Sequence, residues 1–90
     1  GGSSRMDFLL KAERIVLEVK KTRRGLGAKE VGAQLLVDIA RYQAHPDCRH
    51  LVCFVYDPTF IIGNPAGLEA DLARRDGNLD VTILIAPSER

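Results

Sequence analysis

Two alternating apolar runs stand back to back near the start of the chain, Asp7 to Leu10 and Ile15 to Val19, with only Lys11 to Arg14 between them. Short alternating runs joined by a short polar link predict a β-hairpin. A turn at Ala12-Glu13 pairs Leu10 with Ile15, Phe8 with Leu17 and Asp7 with Glu18, and a longer loop over Lys11 to Arg14 leaves the same register. Side chains alternate across a strand, so Glu18 and Lys20 share one face while Phe8, Leu10, Ile15, Leu17 and Val19 share the other. Asp7 then sits across the sheet from Glu18, where Cβ atoms are ~5 Å apart and like charges repel. A cation would relieve that repulsion. Paired carboxylates with an ammonium on one patch are the chemistry of a divalent-metal phosphodiester site. The plainer reading is an ion pair on a solvated sheet. Under either reading Lys20 is expected to point away from the core.

Charge is unevenly spread. The net charge is +1, yet residues 1–30 carry +4 and the remainder carries −3. The basic excess surrounds the carboxylate hairpin. Lys21, Arg23, Arg24 and Lys29 therefore read as a phosphate-contacting rim, although a charge run is ordinarily a solvated loop.

The chain of 90 residues, 46% of them hydrophobic, has the size of one small domain. Gly-Gly-Ser-Ser at residues 1–4 reads as a tag or linker remnant, leaving residues 5–90 as the folded unit. No apolar run approaches the ~20 residues of a membrane span, and no secretory pattern is present, which fits a cytoplasmic protein. His45, Cys48, His50 and Cys53 have ligand-like spacing for zinc. Cys53, however, falls within the apolar run Leu51 to Tyr56, where a buried free cysteine is ordinary, and the histidines read as surface or strand-edge residues.

After a glycine-containing basic loop, Ala28 to Ala44 has helical spacing: Val31, Leu35, Ile39 and Tyr42 form a stripe that Leu36 and Ala40 widen. His45-Pro46-Asp47 ends it. Leu51 to Tyr56 reads as a strand buried on both faces. Asp57, read as a turn residue, opens a loop that reaches Asn64-Pro65. A second helix starts there with Asn64 as cap, buries Leu68 and Leu72, and is expected to stop at Gly77. Val81 to Ile85 is the last strand. The predicted fold is α/β, a mixed sheet in the order β-β-α-β-α-β with strand–helix–strand crossovers.

This order, with an acid opening one hairpin strand and Glu18-Val19-Lys20 closing the next, resembles the PD-(D/E)XK nuclease superfamily, the restriction-endonuclease-like fold. Asp7 matches the first acid and Glu18 and Lys20 match the Glu-x-Lys part. Gln34 looks like the glutamine that several branches place over the site, and reads equally as helix surface. Tyr56-Asp57-Pro58 with Asn64-Pro65 is similar to a Dpn/Mbo-type branch. Met6 stands where many members have proline. The helix and strand that precede the hairpin in the family have no counterpart here, so residues 5–90 are expected to be a C-terminal part of a larger protein or, alternatively, a minimal variant.

The resemblance implies Mg²⁺- or Mn²⁺-dependent hydrolysis of DNA. Asp7, Glu18 and the Val19 carbonyl would hold the metal, and Lys20 and Gln34 would act on water or phosphate. Lys21, Arg23, Arg24 and Lys29 would grip the DNA backbone. A homodimer, or other domains of a larger chain, are further partners it admits. The rival is a non-catalytic module that keeps the nuclease fold to bind DNA or assemble a larger protein. In either case Asp38 reads as a partner of Arg41 or Tyr42 and not as a metal ligand.

Overall fold

The computed structural model describes residues 5–88. The elements are β1 (Arg5–Leu10), β2 (Ile15–Lys21), α1 (Ala28–Gln43), β3 (His50–Tyr56), α2 (Pro65–Leu72), β4 (Arg74–Asp76) and β5 (Leu79–Ala86). They form one mixed sheet in the order β1-β2-β3-β5-β4. β1 and β2 are antiparallel in the register expected from the alternation, with Asp7 opposite Glu18 and Phe8 opposite Leu17. β2, β3 and β5 run parallel, joined by crossovers through α1 and α2, as parallel pairing requires.

The fold class is the expected one, with a further short strand. β4 pairs antiparallel with β5, Asp76 opposite Leu79. The link is Gly77-Asn78, and Gly77 has φ 60°, a conformation glycine adopts without a side-chain clash. Gly77 was expected to terminate the second helix. That helix ends instead at Leu72, and the chain turns straight into β4. At its other end Asn64 is the cap, accepting a hydrogen bond from the Gly67 amide at 3.1 Å, and Pro65 opens the helix.

Which sheet face is covered decides the chemistry. Val31, Leu35 and Ile39 of α1 and Leu72 of α2 share one core with Val16 of β2, Leu51, Cys53 and Val55 of β3, and Val81, Ile83 and Ile85 of β5. Glu18 and Lys20 alternate in phase with Val16, so both lie under α1 and are buried. The expectation that Lys20 points away from the core is therefore wrong. The opposite face holds Ile15, Leu17 and Val19 in intermediate exposure and Phe8, Leu10 and Leu84 about half exposed. β3 likewise buries Leu51, Cys53 and Val55 fully but Val52 and Phe54 only in part, so it is not the doubly buried strand expected. Both corrections have one cause: α1 and α2 pack on the same side.

α1 departs from its expected stripe in the same sense. Leu36 and Ala40 are exposed, and the buried band widens instead toward Asp38. The helix enters through Gly27, whose amide donates to Glu30 Oε2 at 3.0 Å, the return half of a capping box. A Cβ on Gly27 would meet Ile61 Cγ2 at 3.0 Å, so glycine allows the 57–64 loop to close on the helix start.

Candidate active site

Lys20 occupies the centre of a buried polar cluster between β2 and α1. Its ammonium lies 3.0 Å from Glu18 Oε1 and 3.1 Å from Asp38 Oδ2, with Lys20 and Glu18 side chains 1% and 0% exposed. It also donates to Gln34 Oε1 at 3.2 Å. Gln34 and Asp38 are one helical turn apart, so they share a face of α1 and reach the same strand residue. Arg41, one turn further, contacts Asp38 Oδ1 at 3.3 Å and lies over the Tyr42 ring at 4.9 Å from its centre. The arginine is half exposed and connects the cluster to solvent. Asp38 was expected to pair with Arg41, and it does. Its contact with Lys20 was not foreseen.

Asp7 comes to the exposed rim of the same site. It faces Glu18 across the hairpin, and its charge helps to raise the Tyr42 and Cys53 pKa values, which puts it on the helix-covered side. Burial is the main cause in both cases. Glu18 is the perturbed acid of the cluster. Burial first, and then the neighbouring Asp38 carboxyl, push its pKa up to about 7, against the opposing pull of Lys20. Glu18 therefore holds its proton more tightly than an exposed glutamate.

The oxygens of Glu18 are available to a cation. Both are buried without a well-aligned hydrogen bond, although Oε1 has the Lys20 ammonium beside it. Buried polar atoms are ordinarily satisfied, so this is the place in the cluster where a hard cation fits. Among the described residues no three His, Cys, Asp or Glu side chains converge on one point. Mg²⁺ does not demand that. It is commonly held by one or two carboxylates with water and substrate phosphate completing the shell.

The remaining candidates separate cleanly. Lys21, Arg23, Arg24 and Lys29 are all exposed. Arg23 and Leu26 exchange backbone hydrogen bonds at 3.3 and 2.8 Å across a turn with Gly25 at φ 83°. Leu26 is buried, so the turn is anchored and its arginines face outward. Asp57 proves more than a turn residue. It is fully buried and accepts from the Thr22 hydroxyl at 2.6 Å and the Ile61 and Ile62 amides at 2.9 and 3.0 Å. Cys48 and Cys53 are free and buried, and burial raises both thiols, Cys53 to about 12. They belong to the core, while His45 and His50 are exposed and His50 contacts Asp80 at 3.0 Å. A hollow of about 350 Å³ near His45, Cys48, Arg49 and Asn78 is lined by none of the acidic cluster.

A mixed sheet with Asp opposite Glu-x-Lys, crossed by a helix that delivers a glutamine to the lysine, is the arrangement of the restriction-endonuclease-like fold. The family model REase_DpnII-MboI matches residues 1–88, and the chain belongs to the DpnII-MboI restriction endonuclease family. That membership implies an endonuclease with DNA as substrate. No curated protein and no solved structure matches the chain. No helix among the described residues is long and apolar enough to cross a membrane.

Proposed function

We propose that the chain is the catalytic part of a Mg²⁺- or Mn²⁺-dependent endonuclease that hydrolyses DNA phosphodiester bonds, acting in the cytoplasm in restriction of foreign DNA. The observation that carries this reading is the buried Glu18–Lys20–Asp38 cluster with Asp7 at its rim, in a chain of this family. Asp7, Glu18 and the Val19 carbonyl would hold the cation. When bound, such an ion polarises the phosphate and acidifies a water.

The chain's own residues supply the rest. Lys20 carries a positive charge beside the position of the scissile phosphate and stabilises the charge that develops there. Gln34 and Asp38 fix the direction of that ammonium, because together with Glu18 they take hydrogen-bonding or ionic contacts at 3.0–3.2 Å. When a cation takes Glu18, Lys20 keeps Asp38 and Gln34 as partners and so stays aimed. Lys21, Arg23, Arg24 and Lys29 hold the DNA backbone through contacts that weaken with salt. A homodimer would present one such site to each strand.

The test is nicking of supercoiled plasmid with Mg²⁺ against EDTA, for the parent chain and for Lys20→Ala at a temperature where its melting curve shows it folded. Cleavage that needs both the metal and Lys20 supports the reading. DNA binding without cleavage in Mg²⁺ or Mn²⁺ favours the non-catalytic module instead.

A further inference from the structure

Arg41 is the solvent-facing member of the buried cluster. Its Nη2 lies 3.3 Å from Asp38 Oδ1, while the other oxygen of that carboxylate is 3.1 Å from the Lys20 ammonium. One carboxylate thus stands between a buried cation and a half-exposed one. The guanidinium also lies over the Tyr42 ring, 4.9 Å from its centre. Asp38 and Tyr42 together hold the arginine in place, and Asp38 engages it through Nη2. A guanidinium has five N–H donors in a planar fork that matches phosphate oxygens, so donors remain for an anion.

A half-exposed ion pair on a helix is ordinarily a solvated contact worth little. The flank on which Arg41 stands gives it more to do. A Cβ on Gly32 would meet Leu68 of α2 at 3.6 Å, and α2 packs on β5. Gln34 and Arg41 are two turns apart on the flank of α1 opposite to Gly32. In the order β1-β2-β3-β5 that flank looks toward β1. There the sheet is open: Asp7 is exposed, and so is Leu9, which alternation puts on the same face. A trough therefore runs along the hairpin edge, with Asp7 on its floor and Arg41 and the buried cluster on its inner side. The basic turn lies at the start of α1, and Arg41 lies ~18 Å further along the helix, counted from Lys29.

We infer that Arg41 is a phosphate-binding residue of the site, holding a backbone phosphate of a DNA strand that lies in this trough, beside the phosphate at Lys20, while the basic turn grips the backbone toward the other end of α1. This rests on the DNA-cleaving reading and extends it by giving the strand a course across the site. With Glu18 given to a cation, Lys20 and Arg41 share the one charge of Asp38, which leaves positive charge for the phosphate. A fork already held on two sides loses little freedom when the phosphate arrives.

The test is duplex binding in EDTA at several salt concentrations, each variant at a temperature where its melting curve shows it folded. Arg41→Ala is expected to weaken binding about tenfold, the loss of hydrogen bonds to a charged group, and to lower the slope of log affinity against log salt by about 1. Arg41→Lys keeps the charge without the fork, and is expected to keep the slope and lose part of the affinity. Arg74→Ala removes the same charge on β4, at the far edge of the sheet, and is expected to leave the slope unchanged. Asp38→Asn is expected to slow nicking with the slope kept. A parent-like slope in Arg41→Ala would overturn the assignment, and slowed nicking beside it would make the arginine a prop for Asp38. Equal loss of slope in Arg41→Ala and Arg74→Ala would overturn it as an effect of net charge alone. A parent chain that cuts plasmid while Arg41→Ala keeps the parent slope rejects the phosphate contact alone. A lowered slope in Arg41→Ala, in a chain that binds duplex and never cuts, keeps the contact and rejects the cleavage reading. A chain that binds no duplex rejects both.

Discussion

Lys20 on β2 and Asp38 on α1 meet at 3.1 Å inside the protein, and this contact ties the sheet to the helix at the point where the chemistry is proposed. The ammonium also holds Glu18, so one cation separates two buried carboxylates. Removing it leaves them facing each other. Lys20→Ala is therefore expected to destabilise the chain by about 3–5 kcal/mol, the cost of breaking a buried ion pair. Urea denaturation measures it. Lys20→Ala is then a poor test of chemistry unless folding is checked first. Lys20→Arg keeps the charge and is the better activity control.

Asp38→Asn separates aim from fold. It keeps the shape of the side chain and leaves Lys20 with Glu18 and Gln34, so the loss of stability is expected to be smaller, about 1–3 kcal/mol. The nicking rate at saturating DNA is expected to fall at least about tenfold because the ammonium is no longer fixed. Binding of DNA is expected to hold. A normal rate in Asp38→Asn would remove it from the positioning of Lys20.

Glu18 gives the metal-free protein a specific pH response. Its folded pKa, about 7, lies above the ordinary value of 4.5. The folded state therefore binds the proton more tightly than the unfolded chain. The stability this contributes is fully present below pH 4.5 and is lost as pH rises toward about 7. In EDTA the melting temperature is expected to decline across that window, and Glu18→Gln is expected to flatten this part of the profile. A metal-free melting temperature that rises through the window in the parent alone would contradict the burial of the acid.

Divalent cations are expected to reverse that trend, since they compete with the same proton. At a concentration about a hundred times the dissociation constant, Mn²⁺ or Mg²⁺ is expected to add ~2.7 kcal/mol of stability. The gain should be larger at pH 8 than at pH 6. Asp7→Asn, at the exposed rim opposite Glu18, is expected to shrink the gain without altering the metal-free fold. No shift with saturating Mn²⁺ in the folded parent would count against Asp7 and Glu18 as a cation pair.

Much of this geometry was legible in the sequence. The hairpin register follows from two alternating runs and a short link, and the register alone sets Asp7 opposite Glu18. Its buried face does not follow. Phe8, Leu10 and Leu17 look like the inward set, but the helices pack on the side of Val16, Glu18 and Lys20. Burying that charged face is tolerable because Asp38 and Gln34 arrive from α1 to meet Lys20, a long-range complement that local patterning cannot show. Asp38 was hidden for the same reason: its local partner Arg41 accounts for it fully until the fold adds a second. β4 was missed because Arg74-Arg75-Asp76 has no apolar alternation, and it is paired only through the Gly77-Asn78 turn.

The basic turn provides a prediction independent of the acidic cluster. Arg23 and Arg24 are exposed on a turn anchored by the buried Leu26, so neither side chain supports the core. Replacing either by alanine is expected to leave the melting temperature close to that of the parent. If each contacts one phosphate, each substitution weakens duplex binding about equally across sequences and lowers the slope of log affinity against log salt by about 1. The rate at saturating DNA stays unchanged, since nothing in the Lys20 cluster is disturbed. Binding isotherms at several salt concentrations measure the slope, and plasmid nicking measures the rate. An unaltered slope in both variants would place the DNA backbone elsewhere on the protein and separate the basic turn from the function proposed for it.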